Sequence, residues 1–454
     1  MNTKKLAIHE LSNGIKTLNS ISIPEKVKNF AKRLIVDIFG VTLAGSNTDS
    51  SNIFYNVAND IYSSGKCKII GRDSTINAAG AAFINGTSAH ALDFDDNCYA
   101  GVVHGSAVVF PAVLSYAQHK NLPGDNLLKS FIIGLEVEFA VAKALSNSIY
   151  DKGWWTTSML GSIGSTAGVV SLAGLGIKEI ENALSIAISG VGAIRAVRGT
   201  NSKHYYCGKS AENGIIATEM ALYGATGPKD VFEEKNGILS VLNDDNFEYE
   251  HIQNIGTKYS LIEPGVDIKK YPVCYASHSA VDGVASILNS ENLNIESISK
   301  IICFVPPIIE SNLTYNNPKS PKEAQFSLQF ALAVFVKFGS IKLKHLDTEY
   351  ILDPEIKKLM NKIEMTVCDI SDYEDFSEII CPEWTNIKIF TTNGKVFEKF
   401  VAYPIGSAQS PLNDKQIFRK FKSCFEFSKN KLNAETIYER LMEIENVKDC
   451  SDLF

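Results

Sequence analysis

A mainly α fold, with a large all-helical domain and a smaller α/β domain, is predicted by three observations. Apolar residues recur at helical spacing in one segment after another through the first half of the chain. Short β-rich runs and a hairpin signal are confined to the stretch after Pro264. Helical, charged sequence returns after Pro404. A chain of 454 residues, 45% apolar and 21% charged, is long enough for two or three domains and apolar enough to bury a large core. The expected boundaries are 1–265 for the helical domain, 266–403 for the α/β domain and 404–454 for C-terminal helices returning to the first domain.

Each element has a local reason. In "SIPEKVKNFAKRLIVDIFGVTLAGSN", Ser22 is a possible cap and Pro24 falls in the first turn. Val27, Phe30, Ala31, Leu34, Ile35, Ile38 and Phe39 then keep helical spacing up to Gly45, which gives a core helix with both ends marked. "STINAAGAAFINGTSAHAL", "GSAVVFPAVLSYAQHK", "GDNLLKSFIIGLEVEFAVAKALSN", "KEIENALSIAISG" and "GKSAENGIIATEMALYGATG" repeat the theme, with small residues where helices approach closely. The uncharged stretch from Gly153 to Ile177 is long enough to cross a bilayer and contains Gly164-x-x-x-Gly168. Its Gly, Ser and Thr content, and the lack of a similar partner segment, predict instead a helix buried in the helical domain.

Later, "SKIICFVPPI" and "IEMTVCD" read as strands and "EAQFSLQFALAVFVKFG" as a helix. "EWTNIKIFTTNGKVFEKFVAYP" reads as two strands around the hairpin pair Asn393-Gly394. "SPLNDKQIFRKFKSCFEFS" and "NAETIYERLMEIENV" are the C-terminal helices.

Composition narrows the function classes. With 44 basic against 51 acidic residues the net charge is −7, and no basic block tracks a phosphate backbone, so no nucleic-acid partner is expected. The nine cysteines (Cys67, Cys98, Cys207, Cys274, Cys303, Cys368, Cys381, Cys424 and Cys450) are odd in number and scattered, without CxxC. That pattern predicts reduced cytoplasmic thiols, neither a disulfide framework nor a zinc site. The N-terminus has lysines but no apolar core behind them, so a cytoplasmic location without a secretory signal is expected, and no membrane association.

The chemistry concentrates in "HALDFDDNCYAGVVHGSAVVFPA", His90 to Ala112. Asp93, Asp95 and Asp96 invite a hard cation, but no EF-hand spacing or phosphate loop accompanies them, and no metal is expected. Asp95 and Asp96 are assigned to structure, as caps or ion-pair partners. His104 lies after an irregular stretch and just before a helix, where a ring can face a cleft and exchange protons near neutral pH. Two cationic stations follow: Arg198, Lys203, His204 and Lys209 between predicted helices, and Lys269, Lys270, Cys274 and His278 where the two domains join. Cations at such junctions suit a polyanionic small molecule. GxSxG, HExxH and strand-linked GxGxxG are missing, which argues against serine-hydrolase, zinc-protease and nicotinamide chemistry.

"HALDFDDNCYAGVVHGSAVVFPAVL", "GWWTTSMLGSIGSTAG", "GTNSKHYYCGKSAENGI", "KKYPVCYASH" and "SPLNDKQIFRKF" together resemble the MmgE/PrpD family, in order and spacing over nearly the whole chain. The family's reactions include dehydration of 2-methylcitrate, decarboxylation of cis-aconitate and epimerisation of iminodisuccinate. The resemblance implies a helical domain formed by both ends of the chain, an α/β lid domain, a homodimer with its site between domains, and cofactor-free, metal-free chemistry on a small di- or tricarboxylate. Ungrouped cysteines agree, since an iron–sulfur cluster needs grouped thiolates.

By the same resemblance, Asp93 is the active-site aspartate, His104 the motif histidine (in His-Gly-Ser rather than His-Pro-Ser), Lys203 the lysine of "GTxxK" and Lys269 the first of "KKYP". Asn97, Trp155, Cys274 and Phe330 stand at substrate-binding positions where the decarboxylase pattern has threonine, histidine, histidine and tyrosine. A lyase of the dehydratase or decarboxylase type is therefore expected, with an epimerase acting next to a carboxylate as the alternative and an inactive carboxylate-binding relative as a third reading. Both reactions pass through a carbanion or aci-carboxylate that preorganised cations stabilise. Lys203 and Lys269 are expected to supply that charge, His104 to exchange the proton, and Asp93 to orient it or act as a second acid/base group.

Overall fold

Residues 6–146, 148–372 and 382–454 are described by a computed structural model; Cys381 lies outside them. The chain is mainly α and forms two compact units by its own contacts. The larger unit comprises Met1–Ala91, Asp95–Asp267 and Asp414–Phe454, and the smaller Leu92–Phe94 and Ile268–Asn413.

In the larger unit, α1 (Ala7–Ser20), α2 (Glu25–Gly45) and α3 (Asp49–Ile61) lead into a two-stranded antiparallel ribbon of β1 (Cys67–Lys68) and β2 (Thr75–Ile76). Helices α4 (Ala78–His90), α5 (Ser106–Lys120), α6 (Gly124–Ala144), α7 (Ser148–Asp151), α8 (Thr156–Ala173), α9 (Ile177–Ser189), α10 (Asn201–Leu222), α11 (Ile238–Asn243) and α12 (Tyr249–Gln253) follow. Thr48 Oγ1 caps α3 by accepting from Ser51 N at 3.3 Å, and Asn77 Oδ1 caps α4 by accepting from Gly80 N at 2.8 Å, whereas α2 begins after Pro24 with no side-chain cap, so Ser22 does not cap it. Helix α10 begins earlier than its apolar pattern suggested. Gly199 takes φ +72 and extended Thr200 precedes the first turn, so Lys203, His204 and Lys209 are helical rather than between helices.

Helix α8 carries the uncharged stretch. Its hydroxyls are satisfied inside the unit: Ser162 and Thr166 donate to the carbonyls of Ser158 and Ser162, and Ser165 donates to Ser210 O at 2.6 Å. Among the described residues no helix is long and apolar enough to cross a membrane. Small residues set the helix spacing. A Cβ on Gly208 of α10 would stand 2.5 Å from the Phe83 carbonyl oxygen of α4, and one on Gly134 of α6 would meet the Gly164 carbonyl oxygen of α8 at 2.8 Å.

The smaller unit contains α13 (His278–Glu291), β3 (Ile298–Val305), α14 (Pro307–Asn312), α15 (Pro321–Ala324), α16 (Leu328–Phe338), α17 (Thr348–Ile351), α18 (Pro354–Met360), β4 (Ile363–Val367), β5 (Thr385–Thr391) and β6 (Val396–Val401). Its sheet has the order β4-β3-β5-β6, with β3 parallel to β4 and the other neighbours antiparallel. Ile301 pairs with Ile363 on one side and Ile389 on the other, and this row joins Val281 and Phe330 in the unit's apolar core. The hairpin between β5 and β6 turns at Asn393-Gly394, with Gly394 at φ +84, as the dipeptide predicts. Helix α16 starts at Leu328, later than expected, because Ser327 Oγ caps it by accepting from Phe330 N at 3.2 Å. The chain then returns to the larger unit through α19 (Asp414–Ser428) and α20 (Ala434–Met442), where Phe421 and Phe425 pack on Phe39 of α2.

Replacing Gly208 with alanine is expected to cost about 1–3 kcal/mol, because a backbone carbonyl cannot swing away from the added methyl as a side chain can. Urea denaturation measures it; stability equal to wild type would show that α4 and α10 separate without penalty.

Candidate active site

The segment between α4 and α5 is held by its backbone before its side chains are considered. Cys98 and Val103 exchange both N–H···O bonds, at 2.9 and 3.0 Å, around a tight turn in which Gly101 and Val102 take φ +84 and +56. A left-handed conformation costs a β-branched residue about 1–3 kcal/mol, so the surroundings must impose it. Thr156 Oγ1 fastens this turn by donating to Val102 O at 2.6 Å. Thr157 Oγ1 accepts from His104 N at 3.2 Å. His104 is thus delivered to a fixed place at the start of α8, two residues before α5.

Its ring orientation is also set. His104 Nδ1 lies 2.6 Å from the carbonyl oxygen of Asp96, and since a carbonyl only accepts, Nδ1 carries the hydrogen. In the neutral ring Nε2 is then the nitrogen without a hydrogen. The Asp96 side chain is engaged with the first residue of α5: Ser106 N donates to Oδ1 at 3.3 Å and Ser106 Oγ donates to Oδ2. Burial pushes the Asp96 carboxyl up to about 7, against the lowering effect of Ser106 and with help from the nearby charges of Asp95 and Asp37.

Asp95 is fully buried and its Oδ2 lies 2.7 Å from His90 Nδ1 and 3.4 Å from His104 Nδ1. The three rings of His90, His104 and Trp155 gather here, with His90 4.7 Å from His104 and 5.6 Å from Trp155 between centroids. His204 stands edge-on to His90 at 6.2 Å, and Lys203 Nζ lies over Trp155 at 5.9 Å. Ligand-type atoms of His90, Asp95 and His104 come within 4.8 Å of one another, a spacing that accommodates a metal ion. The Nδ1 atoms of both histidines already have hydrogen-bond acceptors, Asp95 for His90 and Asp96 O for His104, so the donor set is matched internally as an acid/base network.

The remaining expected residues are divided between the two units. In the smaller unit, Lys269 Nζ donates to Asp93 O at 2.7 Å and to Asp93 Oδ2 at 3.1 Å, with both side chains buried. Within its own unit the Lys269 ammonium thus faces the carboxylate of Asp93. Asp93 takes φ +50, an uncommon backbone state for a residue other than glycine, asparagine or aspartate. Cys274 belongs to the same unit, near the charges of Asp93 and Lys269, and burial pushes its thiol up to about 12. Phe330 is wholly buried in that unit's apolar core, which gives it a packing role there. In the larger unit Asn97 pairs with Asp267 by two backbone bonds of 2.9 and 2.8 Å. Of the other cations, Lys209 is engaged by Glu212 and Lys270 by Asp282 at 2.9 Å, and His278 Nε2 is bonded to Val273 O at 3.2 Å.

His90 and Glu138 are the residues that the sequence did not single out. The His90-x-x-x-x-Asp95 spacing was visible, but its meaning depends on α4 ending at His90 so that the chain doubles back. Glu138 of α6 is completely buried, and neither carboxyl oxygen has a hydrogen-bond partner among the described residues. It fills the space above Gly164, where a Cβ would meet its Oε2 at 2.6 Å. Burial and the charge of Asp96 push its carboxyl well above the usual range.

The MmgE/PrpD N-terminal domain matches residues 9–250 and the MmgE/PrpD C-terminal domain residues 271–444. The chain is 26% identical to a cis-aconitate decarboxylase of Mus musculus over 93% of its length and 87% of that protein. It is 26% identical to one of Homo sapiens over 98% of its length and 92% of that protein, and 22% identical to one of Aspergillus terreus over 100% and 96%.

A buried carboxyl whose folded pKa is raised keeps its proton longer in the native state than in the unfolded chain. Its contribution is complete below the unfolded carboxylate value and is lost as pH rises through that value towards the raised one. Glu138→Met removes that loss and the roughly 1–3 kcal/mol of an unpaired buried group. The fall in Tm between about pH 5 and about pH 8 should be smaller in the variant than in wild type. Equal falls would show that Glu138 does not titrate against the fold.

Proposed function

The chain belongs to the MmgE/PrpD family, and from that membership we propose that it is a lyase acting on a small di- or tricarboxylate, with His104 as its proton-carrying group. The observation that carries this reading is the Nδ1 hydrogen bond to Asp96 O at 2.6 Å, which fixes the tautomer and the orientation of the ring. The names of the similar proteins, cis-aconitate decarboxylases from three sources, favour decarboxylation within the lyase class.

The chemistry balances with these groups. In decarboxylation the C–C bond to the departing carboxylate breaks, carbon dioxide leaves, and the electron pair stays on carbon, delocalised into a neighbouring carboxyl group. The His104 imidazolium gives the proton that makes the new C–H bond, and solvent returns one to the ring. In dehydration neutral His104 takes the proton next to a carboxylate, and the imidazolium so formed gives a proton to the leaving hydroxyl, which departs as water and returns the ring to neutral. Lys203, buried beside Trp155, supplies positive charge against the developing anion. Lys269 orients Asp93 as a second acid/base group through their ion pair. Cofactor-free chemistry and homodimerisation are part of the same reading, on the family resemblance.

Trp155 sets the expected preference. Its indole presents apolar surface where the decarboxylase pattern has a ring able to ionise, and an apolar wall penalises an unpaired third carboxylate. The test is to incubate the enzyme separately with cis-aconitate, citrate, 2-methylcitrate and iminodisuccinate in deuterated buffer and to follow mass and rate. The lyase reading predicts loss of carbon dioxide, or loss or gain of water, with at least one acid, and a lower kcat/KM for cis-aconitate than for the best acid with fewer carboxylates or an apolar substituent. His104→Ala should lower the rate by about a hundredfold or more with Tm unchanged. Deuterium exchange without a change of composition would replace the lyase by an epimerase, and a His104→Ala rate near wild type would remove His104 from the chemistry.

A further inference from the structure

Resting on the reading of His104 as the proton carrier, we propose that Asp95, steered by His90, is a positioning residue that biases the His104 ring towards its protonated form. A carboxylate oxygen accepts, so His90 Nδ1 donates to Asp95 Oδ2 at 2.7 Å. The same Oδ2 stands 3.4 Å from His104 Nδ1, close to the hydrogen that Nδ1 directs at the Asp96 carbonyl. The second oxygen, Oδ1, has no hydrogen-bond partner among the described residues, so the contacts of this carboxylate concentrate on the oxygen between the two rings. His90 and Asp95 are both wholly buried, where water screens little and an anion beside a ring is felt more strongly than at a surface.

The charged and titratable surroundings have mixed signs. His90 on α4 and Asp95 and Asp96 in the connecting segment lie on one side. Lys203 and His204 of α10 approach through Trp155 and His90 and oppose a second positive charge. Asp37 of α2 adds its negative field at Asp96, and Asp96 adds its own at Glu138 of α6. Asp95 is the carboxylate whose oxygen reaches the His104 ring, and His90 fixes which oxygen that is. Removing the carboxylate's charge should therefore lower the His104 pKa. Removing His90's donation while filling its space should raise it, since the carboxylate then depends more on His104.

The experiment follows the His104 ring resonances through a pH titration of the full chain, assigned by their loss in His104→Ala, together with the pH profile of kcat/KM. In wild type His104 should titrate above the ordinary value of about 6.5. In Asp95→Asn the midpoint should fall by about one pH unit or more, in His90→Phe it should rise, and the matching limb of the activity profile should move with it. A merely structural role would lower Tm or kcat without moving the titration. A wild-type midpoint below the ordinary value, unmoved titrations, or shifts of the same sign in both variants would overturn the proposal. If Asp95→Asn does not fold, the wild-type value and His90→Phe decide alone. The reading beneath it fails separately: full activity in His104→Ala removes His104 from catalysis whatever its titration shows.

Discussion

The hydrogen bond from His104 Nδ1 to the Asp96 carbonyl decides which ring nitrogen carries the hydrogen of the neutral ring, and the loop around it is built so that this bond cannot easily be lost. The carbonyl is fixed because the Asp96 side chain is tied to the first residue of α5. The histidine is fixed because its own N–H is taken by Thr157 and the preceding turn is closed by the Cys98–Val103 pair and fastened by Thr156. Helix α8 supplies both threonines from its first turn, so its packing against α6 and α5 positions His104 as well as filling the core.

The larger unit accepts an unusual load of buried acid around this point. Asp95, Asp96, Glu136 and Glu138 are all withdrawn from water. Glu136 is satisfied by the backbone N–H groups of Ser260 and Leu261 at 2.8 and 2.9 Å, yet burial still pushes it up to about 7. Burying a carboxylate without such partners is costly, and the usual escape is to keep the proton. Glu138 and Asp96 are pushed in that direction, so the interior beside His104 holds carboxyl groups that resist carrying further negative charge. Asp95, bonded to His90, brings its Oδ2 to 3.4 Å from the His104 ring.

Much of the fold was legible because it depends on local rules. The period of apolar residues marked α2, α5 and α6, and Asn393-Gly394 marked the β5–β6 turn. The start of α10 was missed because Asn201–Lys209 is polar and the apolar pattern only becomes regular further on, while the left-handed Gly199 that frees the chain to turn carries no unique signature. At the site, His104, Lys203 and Trp155 were visible as residue types on motifs, and the structure gathers them in one unit. What the sequence does not carry is a backbone acceptor: no residue type announces that the carbonyl of Asp96 orients the ring. Glu138 was hidden for the related reason that alternating glutamates on a helix look like a solvated face, and only the close approach of Gly164 shows otherwise.

The account therefore stands on the polarity of a single imidazole. Nitrogen-15 chemical shifts of His104, recorded in its neutral form above its titration, distinguish the two tautomers directly. The hydrogen bond to Asp96 O predicts a protonated Nδ1 and a bare Nε2. A proton on Nε2 with Nδ1 bare would contradict it, because Nδ1 would then have no hydrogen to give the carbonyl and the site as described would be facing the wrong way.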